Sequence, residues 1–157
     1  MDDKLSSDEL ETWSTLATLL EWLPTALDAQ LQHDSGLTHF EYGILFALAD
    51  APDRTLRMSV LAGFANSSLS RLSRAVARLE AKSLVERSVD PADGRFTLAE
   101  LTAAGVAQYE QASPGHVRTV RALVLDPLTL AQAKQLRDIG RRVLQAIRDD
   151  EGWRPTP

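Results

Sequence analysis

Apolar residues in the first part of the chain recur at alternating spacings of three and four, the period of one face of an α-helix. The pattern predicts a helix over residues 6–33, with Ser6 or Ser7 as its N-cap. Pro24 occupies the one position at which the stripe lacks an apolar residue of the series, and proline inside a helix predicts a kink there. The stripe covers three heptads, longer than a small domain needs to cover its own core. Its apolar positions are Leu10, Trp13, Ala17, Leu20, Leu27 and Leu31.

A second helix is predicted over residues 39–50, because Thr38 and Glu41 have the spacing of a capping box. A turn and a short extended piece at 56–57 separate it from a short third helix at about 58–64. The buried face of the second helix is predicted to consist of Phe40, Ile44, Leu45 and Leu48.

The fourth helix, predicted over 67–82 with Asn66 as its N-cap, divides its residues between two faces. The apolar face consists of Leu69, Leu72, Val76 and Leu79. The opposite face carries short hydroxyls and long cations, at Ser67, Ser70, Arg71, Arg74 and Arg78. The helix is therefore anchored by apolar side chains and presents a cationic face to solvent.

Alternation of apolar and polar residues replaces the helical period over 84–89 and 95–101, which predicts two strands. A turn that contains Pro and Gly joins them, so that the strands form a hairpin with Arg95 near its tip. The apolar face of the second strand is predicted at Phe96 and Leu98.

Two more helices are predicted after the hairpin. Thr102 caps the first, at about 103–125, and the Ser-Pro-Gly sequence at 113–115 is predicted to interrupt it. A capping box at Thr129 begins the second, over 130–149. The inner stripe of this last helix is predicted to consist of Leu136, Ile139 (or Gly140), Val143 and Ile147.

Composition narrows the class of protein. With 157 residues, 44% of them hydrophobic and 25% charged, the chain is long enough for one ordinary globular domain. The absence of cysteine excludes disulfides, thiolate catalysis and cysteine-bound zinc. No apolar run approaches the roughly 20 residues of a membrane span, and the first residues are acidic and polar. We therefore expect a cytoplasmic protein with no membrane partner.

Charge is distributed unevenly along the chain, whose net charge is −5. Residues 1–52 carry one Lys against ten Asp and Glu, a net −9. Residues 53–97 carry eight Lys and Arg against five acids, a net +3, and residues 98–157 carry a net +1. The middle segment is a basic island that can attract a polyanion, although an ordinary solvated face has the same composition.

Catalytic and cofactor chemistry have no sequence signature in this chain. It contains no nucleophile–base pair, phosphate-binding loop or metal-binding motif. His33, His39 and His116 stand singly, so that no metal site is predicted. The sequence predicts neither an enzyme nor a bound cofactor.

The order of the elements favours nucleic-acid binding. A short helix, then a helix with a polar face, then a hairpin is the arrangement of a winged helix-turn-helix. The major groove of B-DNA admits one helix, whose Ser and Arg side chains suit base edges and phosphates. A hairpin with an Arg at its tip suits the adjacent minor groove.

Several motifs together resemble the MarR family of bacterial transcription regulators. They are SLSR at 68–71, RLEAKSLVER at 78–87, DPADGR at 90–95 and LTAAG at 101–105. The resemblance covers about residues 37–147. It implies a mainly α-helical fold with a small β-hairpin wing.

The resemblance also implies a domain plan. Residues 37–101 are the winged helix-turn-helix domain, with the recognition helix at about 67–82 and the wing at about 84–101. Residues 6–36 and 102–150 are dimerisation helices, and residues 151–157 are a frayed tail. The implied function is that of a homodimeric repressor that binds a palindrome in double-stranded DNA. A small ligand, commonly aromatic, releases it.

The motif positions assign site residues by resemblance. The face that contacts bases and phosphates corresponds to Ser67, Ser68, Ser70, Arg71 and Arg74, and Arg78 is expected at the DNA backbone. In the wing, Asp93 holds Arg95 for the minor groove. Ser83 departs from the family pattern, because it stands where Gly is usual at a left-handed helix terminus.

Two alternatives stay open on the sequence. Candidate ligand-pocket residues are Trp13, His39, Tyr42 and Phe46, for which ordinary packing competes with a ligand role. For the whole protein, the alternative is a winged-helix protein that has lost DNA binding and acts through protein contacts. The retained Arg95 and the Ser- and Arg-rich helix face argue against that alternative.

Overall fold

A computed structural model describes residues 4–149; the predicted frayed tail at 151–157 lies outside them. Six α-helices and three strands lie in this part of the chain. In chain order they are α1 (Ser7–Ser35), α2 (His39–Asp50), β1 (Thr55–Arg57), α3 (Met58–Phe64), α4 (Leu69–Ala81), β2 (Val85–Val89), β3 (Thr97–Leu101), α5 (Ala103–Val120) and α6 (Leu130–Asp149). The fold is the predicted mainly α-helical one with a small antiparallel sheet.

Capping boxes begin the first two helices where the sequence predicts them. The Ser6 hydroxyl accepts from the Glu9 N–H, and the Glu9 carboxylate accepts from the Ser6 N–H. Thr38 and Glu41 make the same reciprocal pair at α2. Helix α1 extends two residues past the predicted end, because Gly36, with φ of 66°, is the residue that terminates it.

The predicted N-cap of α4 is wrong. Asn66 has a φ of 47° and belongs to the end of α3: its N–H donates to the carbonyl of Gly63, and the next N–H, of Ser67, donates to Ala62. This pair of bonds is a Schellman motif, in which Asn tolerates the left-handed position. Ser68 is the N-cap of α4, and the helix begins two residues later than predicted.

The sheet has three strands where the sequence predicts a two-stranded hairpin. The strand order is β1-β3-β2, and the extended piece before α3 pairs with β3, so that Thr55 lies opposite Glu100. Strands β2 and β3 pair with Val85 opposite Leu101. We call β2, β3 and the turn between them the wing.

The predicted phase of β3 is also wrong. Ala99 and Leu101 are buried, whereas Phe96 and Leu98 are only half-buried on the other side. Helices α2 and α5 contact β3, and the buried side belongs to the core that they share. Alternation shows that a strand has two faces, but only its packing partners decide which face is covered.

The core lies under the sheet and among α1, α2, α3, α4 and α5. Its fully buried large side chains are Leu31, Leu37, Ile44, Leu45, Leu48, Leu61, Leu72, Val76, Leu79 and Val85. Each contributes about 1.5–3 kcal/mol of apolar burial. The sequence predicts Leu69 on this buried face of α4, but its side chain is 43% exposed.

Helix α5 is not interrupted at 113–115 as predicted, because Pro114 lies inside a continuous helix. Packing of α5 against α1 offsets the loss of the hydrogen bond that proline removes. At this point of the contact, Gly115 lies next to the side chains of Asp34 and Gln30 of α1. The helical conformation continues through a single π-helical turn at Arg121–Leu125 and ends there, at the predicted position.

The last helix stands apart from the core. The predicted capping box at Thr129 is present, with Gln132 as its partner. Within the described residues, α6 has no buried side chain, although its apolar stripe is the predicted one. No helix of residues 4–149 is both long and apolar enough to cross a bilayer.

Candidate nucleic-acid interface

Helix α4 has one buried and one exposed face. Leu72, Ala75, Val76 and Leu79 are buried in the core. Ser70, Arg71, Arg74 and Arg78 are exposed on the opposite side. The 100° step between residues produces this separation, and burial of the apolar side fixes the helix so that the cations point outward.

The three candidate serines differ in what their hydroxyls do. The Ser68 hydroxyl accepts from the Arg71 N–H at 3.3 Å and so caps the helix. Ser67 is half-buried, and its hydroxyl donates to the carbonyl of Ser68. Ser70 is the exposed hydroxyl on the first turn of α4, 3.3 Å from the hydroxyl of Ser68.

Arg71 and Arg74 also differ. The Arg71 guanidinium lies over the ring of Phe40, with its central carbon 4.3 Å from the ring centroid. Arg71 also lines a cavity of about 520 Å³ bordered by Phe40, Phe46 and Phe64. Arg74 makes no ion pair with any residue of 4–149, so its charge is available to an external anion.

Arg78 ties α4 to the start of α2. Its Nε donates to Oε1 of the buried Glu41 at 2.9 Å, and Lys82 Nζ lies 3.6 Å from Oε2 of the same carboxylate. Lys82 also donates to the carbonyl of Gly36, the residue that ends α1. Burial raises the pKa of Glu41, but the hydrogen bonds from Arg78 and Thr38 and the charge of Lys82 together outweigh that effect. The pKa of Glu41 is therefore below its usual value. The contact of Arg78 with DNA stays a prediction.

Arg95 projects from the wing and is paired with Asp93. Arg95 Nε donates to Asp93 Oδ1 at 3.0 Å, and Nη2 donates to Oδ2 at 2.7 Å, a two-bond arrangement that fixes the plane of the guanidinium. These bonds lower the pKa of Asp93 and raise the pKa of Arg95. The Arg95 side chain is 84% exposed, so it remains accessible to a ligand while it is held.

A cleft of about 220 Å³ joins the wing to α4. Arg95 and Phe96 line it from the wing, and Leu69 and Ser73 line it from α4. This position explains the exposure of Leu69. Arg87 of β2 lines the same cleft and pairs with Glu80 at 2.6 Å. Sequence reasoning missed Arg87 and Ser73 as cleft residues, although Arg87 ends the RLEAKSLVER motif.

A second cavity, of about 530 Å³, lies between α2 and α5. The candidate pocket residues His39, Tyr42 and Phe46 line it from α2, whereas Trp13 lines neither this cavity nor the one beside Arg71. The lining from α5 and the π-helical turn consists of His116, Val117, Val120, Arg121 and Leu125. No sequence signal identifies these residues, because their apposition to α2 depends on how α5 packs.

His116 is the unusual polar group of this cavity. Its ring centroid lies 4.4 Å from that of Tyr42, and its Nδ1 is buried without a hydrogen-bond partner. Burial lowers the pKa of His116, and the nearby His39 lowers it further. The Tyr42 hydroxyl is 3.0 Å from the hydroxyl of Ser113. Among residues 4–149, no three His, Asp or Glu side chains cluster in a way that could hold a metal ion.

Comparisons with known proteins agree on one family. A family model described as the MarR family matches residues 35–95. The solved structure of Sco3205, a MarR family transcriptional regulator from Streptomyces coelicolor in complex with DNA, is 41% identical over 98% of each chain, with a TM-score of 0.93. A search of curated proteins finds no significant match.

Two further regulators from Streptomyces coelicolor are similar. AbsC, also a MarR family transcriptional regulator, is 31% identical over 92% of this chain and 97% of its own, with a TM-score of 0.88. PcaV, solved in complex with its natural ligand, is 25% identical over 82% of this chain and 90% of its own, with a TM-score of 0.72.

Proposed function

The chain belongs to the MarR family of transcriptional regulators, and from that membership we propose that it is a homodimeric repressor that binds a palindromic operator. The observation that carries the proposal is the pair of exposed cations, Arg74 on α4 and Arg95 on the wing, on two elements that border one cleft. We place the protein in the cytoplasm with its DNA partner, and a regulatory rather than an enzymatic role is the one consistent with the family.

In this proposal α4 enters the major groove and the wing follows the adjacent minor groove. Ser70 lies on the first turn of α4, where it can reach a base edge, and Arg74 lies one turn further on, where it can reach a phosphate. The wing Arg95, oriented by Asp93, suits the strong negative potential of a narrow minor groove. Arg71 can contribute if its guanidinium leaves the ring of Phe40.

The proposed dimer rests on apolar surface that the single chain leaves uncovered. Trp13 on α1 is 54% exposed, and Ile139 on α6 is 59% exposed. These residues belong to stripes that run along both helices, and a second copy of the chain is the partner that can cover them in a two-fold arrangement. Such a dimer presents two copies of α4, and half-sites about one helical turn apart would match them.

We further propose that the cavity between α2 and α5 takes a small aromatic effector. Its lining is mostly apolar and aromatic, and His39, His116 and Arg121 are the polar residues among it that can bind a specific group of the effector. The cavity lies against α2, to which α4 is tied through Glu41 and Arg78. An effector that shifts α2 would therefore move α4, which supports release from DNA on binding.

The first test is fluorescence anisotropy of a labelled duplex from upstream of the protein's own gene, titrated at several salt concentrations. The Arg74→Ala/Arg95→Ala double variant should bind about 100-fold more weakly, since each arginine is expected to contribute about 1–3 kcal/mol of binding free energy. Its plot of log K against log salt should be shallower by about one unit for each phosphate that is no longer neutralised. In vitro transcription from the bound promoter should fall as protein is added.

The matched control is Arg141→Ala/Arg148→Ala, which removes the same charge from exposed positions on the side of α6 opposite its apolar stripe. It should bind as the wild type does. Aromatic compounds that weaken wild-type binding should lose that effect in His116→Leu. A folded dimer that binds neither this duplex, nor neighbouring promoters, nor non-specific DNA would favour the winged-helix protein that acts through protein contacts.

A further inference from the structure

Arg57 connects the base of the wing to the start of α3. It is the last residue of β1 and the N-cap residue of α3. Its Nε donates to Oδ2 of Asp90 at 2.7 Å, across 33 residues of sequence. Asp90, the first residue after β2, is buried, whereas the Arg57 side chain is 39% exposed, so this is a partly shielded ion pair at the point where the chain leaves the sheet for the wing turn.

Asp90 closes the wing turn through hydrogen bonds to the backbone of the turn. Its Oδ1 accepts from the Ala92 N–H at 2.8 Å, and its own N–H donates to the carbonyl of Phe96 at 3.0 Å. Phe96 in turn donates its N–H to the carbonyl of Asp93. The bond from Ala92 and then the bond from Arg57 lower the pKa of Asp90 although burial raises it, so the carboxylate is charged at neutral pH.

Phe96 lies between this anchored end and the exposed tip. The Arg57 guanidinium lies over its ring, 4.4 Å from the centroid, and the Arg95 guanidinium is 5.8 Å from the same centroid. Arg95 also donates its backbone N–H to Asp93, within the turn that Asp90 closes. A continuous set of contacts therefore runs from Arg57 through Asp90 and the turn to Arg95.

From this set of contacts we propose that Arg57 is a positioning residue for DNA binding, which holds the wing turn so that Arg95 is pre-oriented for the duplex. The proposal rests on the proposed role of Arg95 in the minor groove. Strand β1 has only three residues, and its pairing with β3 ends at Leu98, before the turn. The ion pair and the stacked guanidinium extend that support into the turn, and a pre-oriented arginine loses less conformational entropy when it binds.

A double-mutant cycle tests the proposal. Affinity for the duplex is measured for the wild type, Arg57→Ala, Arg95→Ala and the double variant. If Arg57 acts through Arg95, Arg57→Ala alone should weaken binding about tenfold and should add less than about twofold in the Arg95→Ala background. Full additivity would overturn the proposal, because Arg57 would then act through its own contact with DNA or through general charge.

Two variants distinguish the positioning role of Arg57 from an effect of its positive charge on DNA affinity. Arg54→Ala removes an equal charge three residues earlier, and Arg54 makes no ion pair with residues 4–149; it should change affinity less than Arg57→Ala does. Arg57→Lys keeps the charge but lacks the planar guanidinium that stacks on Phe96, and it should restore binding only in part. Complete restoration by lysine would contradict the positioning role.

Hydrogen exchange of the Ala92 and Phe96 amides tests the same contacts without DNA. Both amides should exchange at least about tenfold faster in Arg57→Ala and in Asp90→Asn than in the wild type, if the ion pair holds the turn. Unchanged protection in both variants would overturn the proposal. If the wild type bound no DNA, the proposed function would fail, and the exchange data would still decide whether Arg57 orders the wing.

Discussion

Several single residues in this fold have a backbone conformation or a contact that their neighbours in the sequence do not predict. Ser83 is an exception, because the resemblance to the MarR family predicts a left-handed helix terminus at its position, where Gly is usual. Its φ is 58°, its N–H donates to Glu80, and its carbonyl accepts from the Thr102 hydroxyl. Asn66 has the same backbone conformation although the sequence predicts a cap there, since Asn serves both purposes equally well.

Replacing Ser83 by glycine should therefore stabilise the protein. A left-handed backbone costs a residue with a Cβ about 1 kcal/mol, part of which the greater freedom of unfolded glycine offsets. We expect Ser83→Gly to raise the free energy of unfolding by about 0.5 kcal/mol in urea denaturation. Ser88→Gly, at an extended position inside β2, is the control and should lower it by about 0.5–1 kcal/mol. A loss of stability in both variants would refute the strain argument.

At the scale of elements, close packing between α5 and the sheet fixes the wing against the core. Gly105, the last residue of the LTAAG sequence, lies in the first turn of α5 directly against the carbonyl group of Leu84. Its N–H also donates to the Thr102 hydroxyl that caps the helix. The glycine of that sequence is thus explained by close approach of two backbones, and its φ is not left-handed.

Gly105→Ala should be strongly destabilising, because its Cβ would overlap the Leu84 carbonyl and neither backbone can move alone. We expect a loss of about 2–4 kcal/mol in the free energy of unfolding. Gly43→Ala is the matched control, since it is also helical but has open space around a new Cβ. It should gain up to about 1 kcal/mol from helix propensity. Equal effects of the two substitutions would show that packing at Gly105 is not the cause.

At the scale of the whole molecule, the chain has more apolar surface than it covers. Helix α6 has 20 residues, none of its described side chains is buried, and its apolar stripe is continuous. Most of the stability of a helix in a protein comes from packing of its apolar face, so a partner that covers the stripe of α6 is expected to stabilise this helix. The proposed homodimer meets that need and explains why such long helices flank a small DNA-binding domain.

Ile139→Asp should separate the proposed dimer into monomers, since it puts a charge in the middle of the α6 stripe. Sedimentation velocity at micromolar concentration is the measurement, and DNA affinity should fall in parallel because two linked copies of α4 bind more tightly than one. Gln145→Asp introduces the same charge on the opposite side of α6 and should leave a dimer. A wild-type monomer, or an Ile139→Asp dimer, would contradict the proposed interface.

Local physical chemistry determined what the sequence predicted correctly. The helix starts at Ser6, Thr38, Thr102 and Thr129 depend on bonds between residues three apart, so that they can be identified from the residues alone. The two faces of α4 and the mainly helical fold follow from spacing, and the motifs in their order indicated the MarR family. The roles of the predicted site residues in DNA binding remain predictions.

Tertiary structure alone decided which distant groups meet. It brought β1 into the sheet, chose the buried side of β3, and carried α5 unbroken through Pro114. It also paired Arg57 with Asp90 and left the His116 Nδ1 without a partner beside a cavity. Each of these outcomes depends on contacts between residues far apart in sequence, and periodicity shows that a face exists without showing what packs against it.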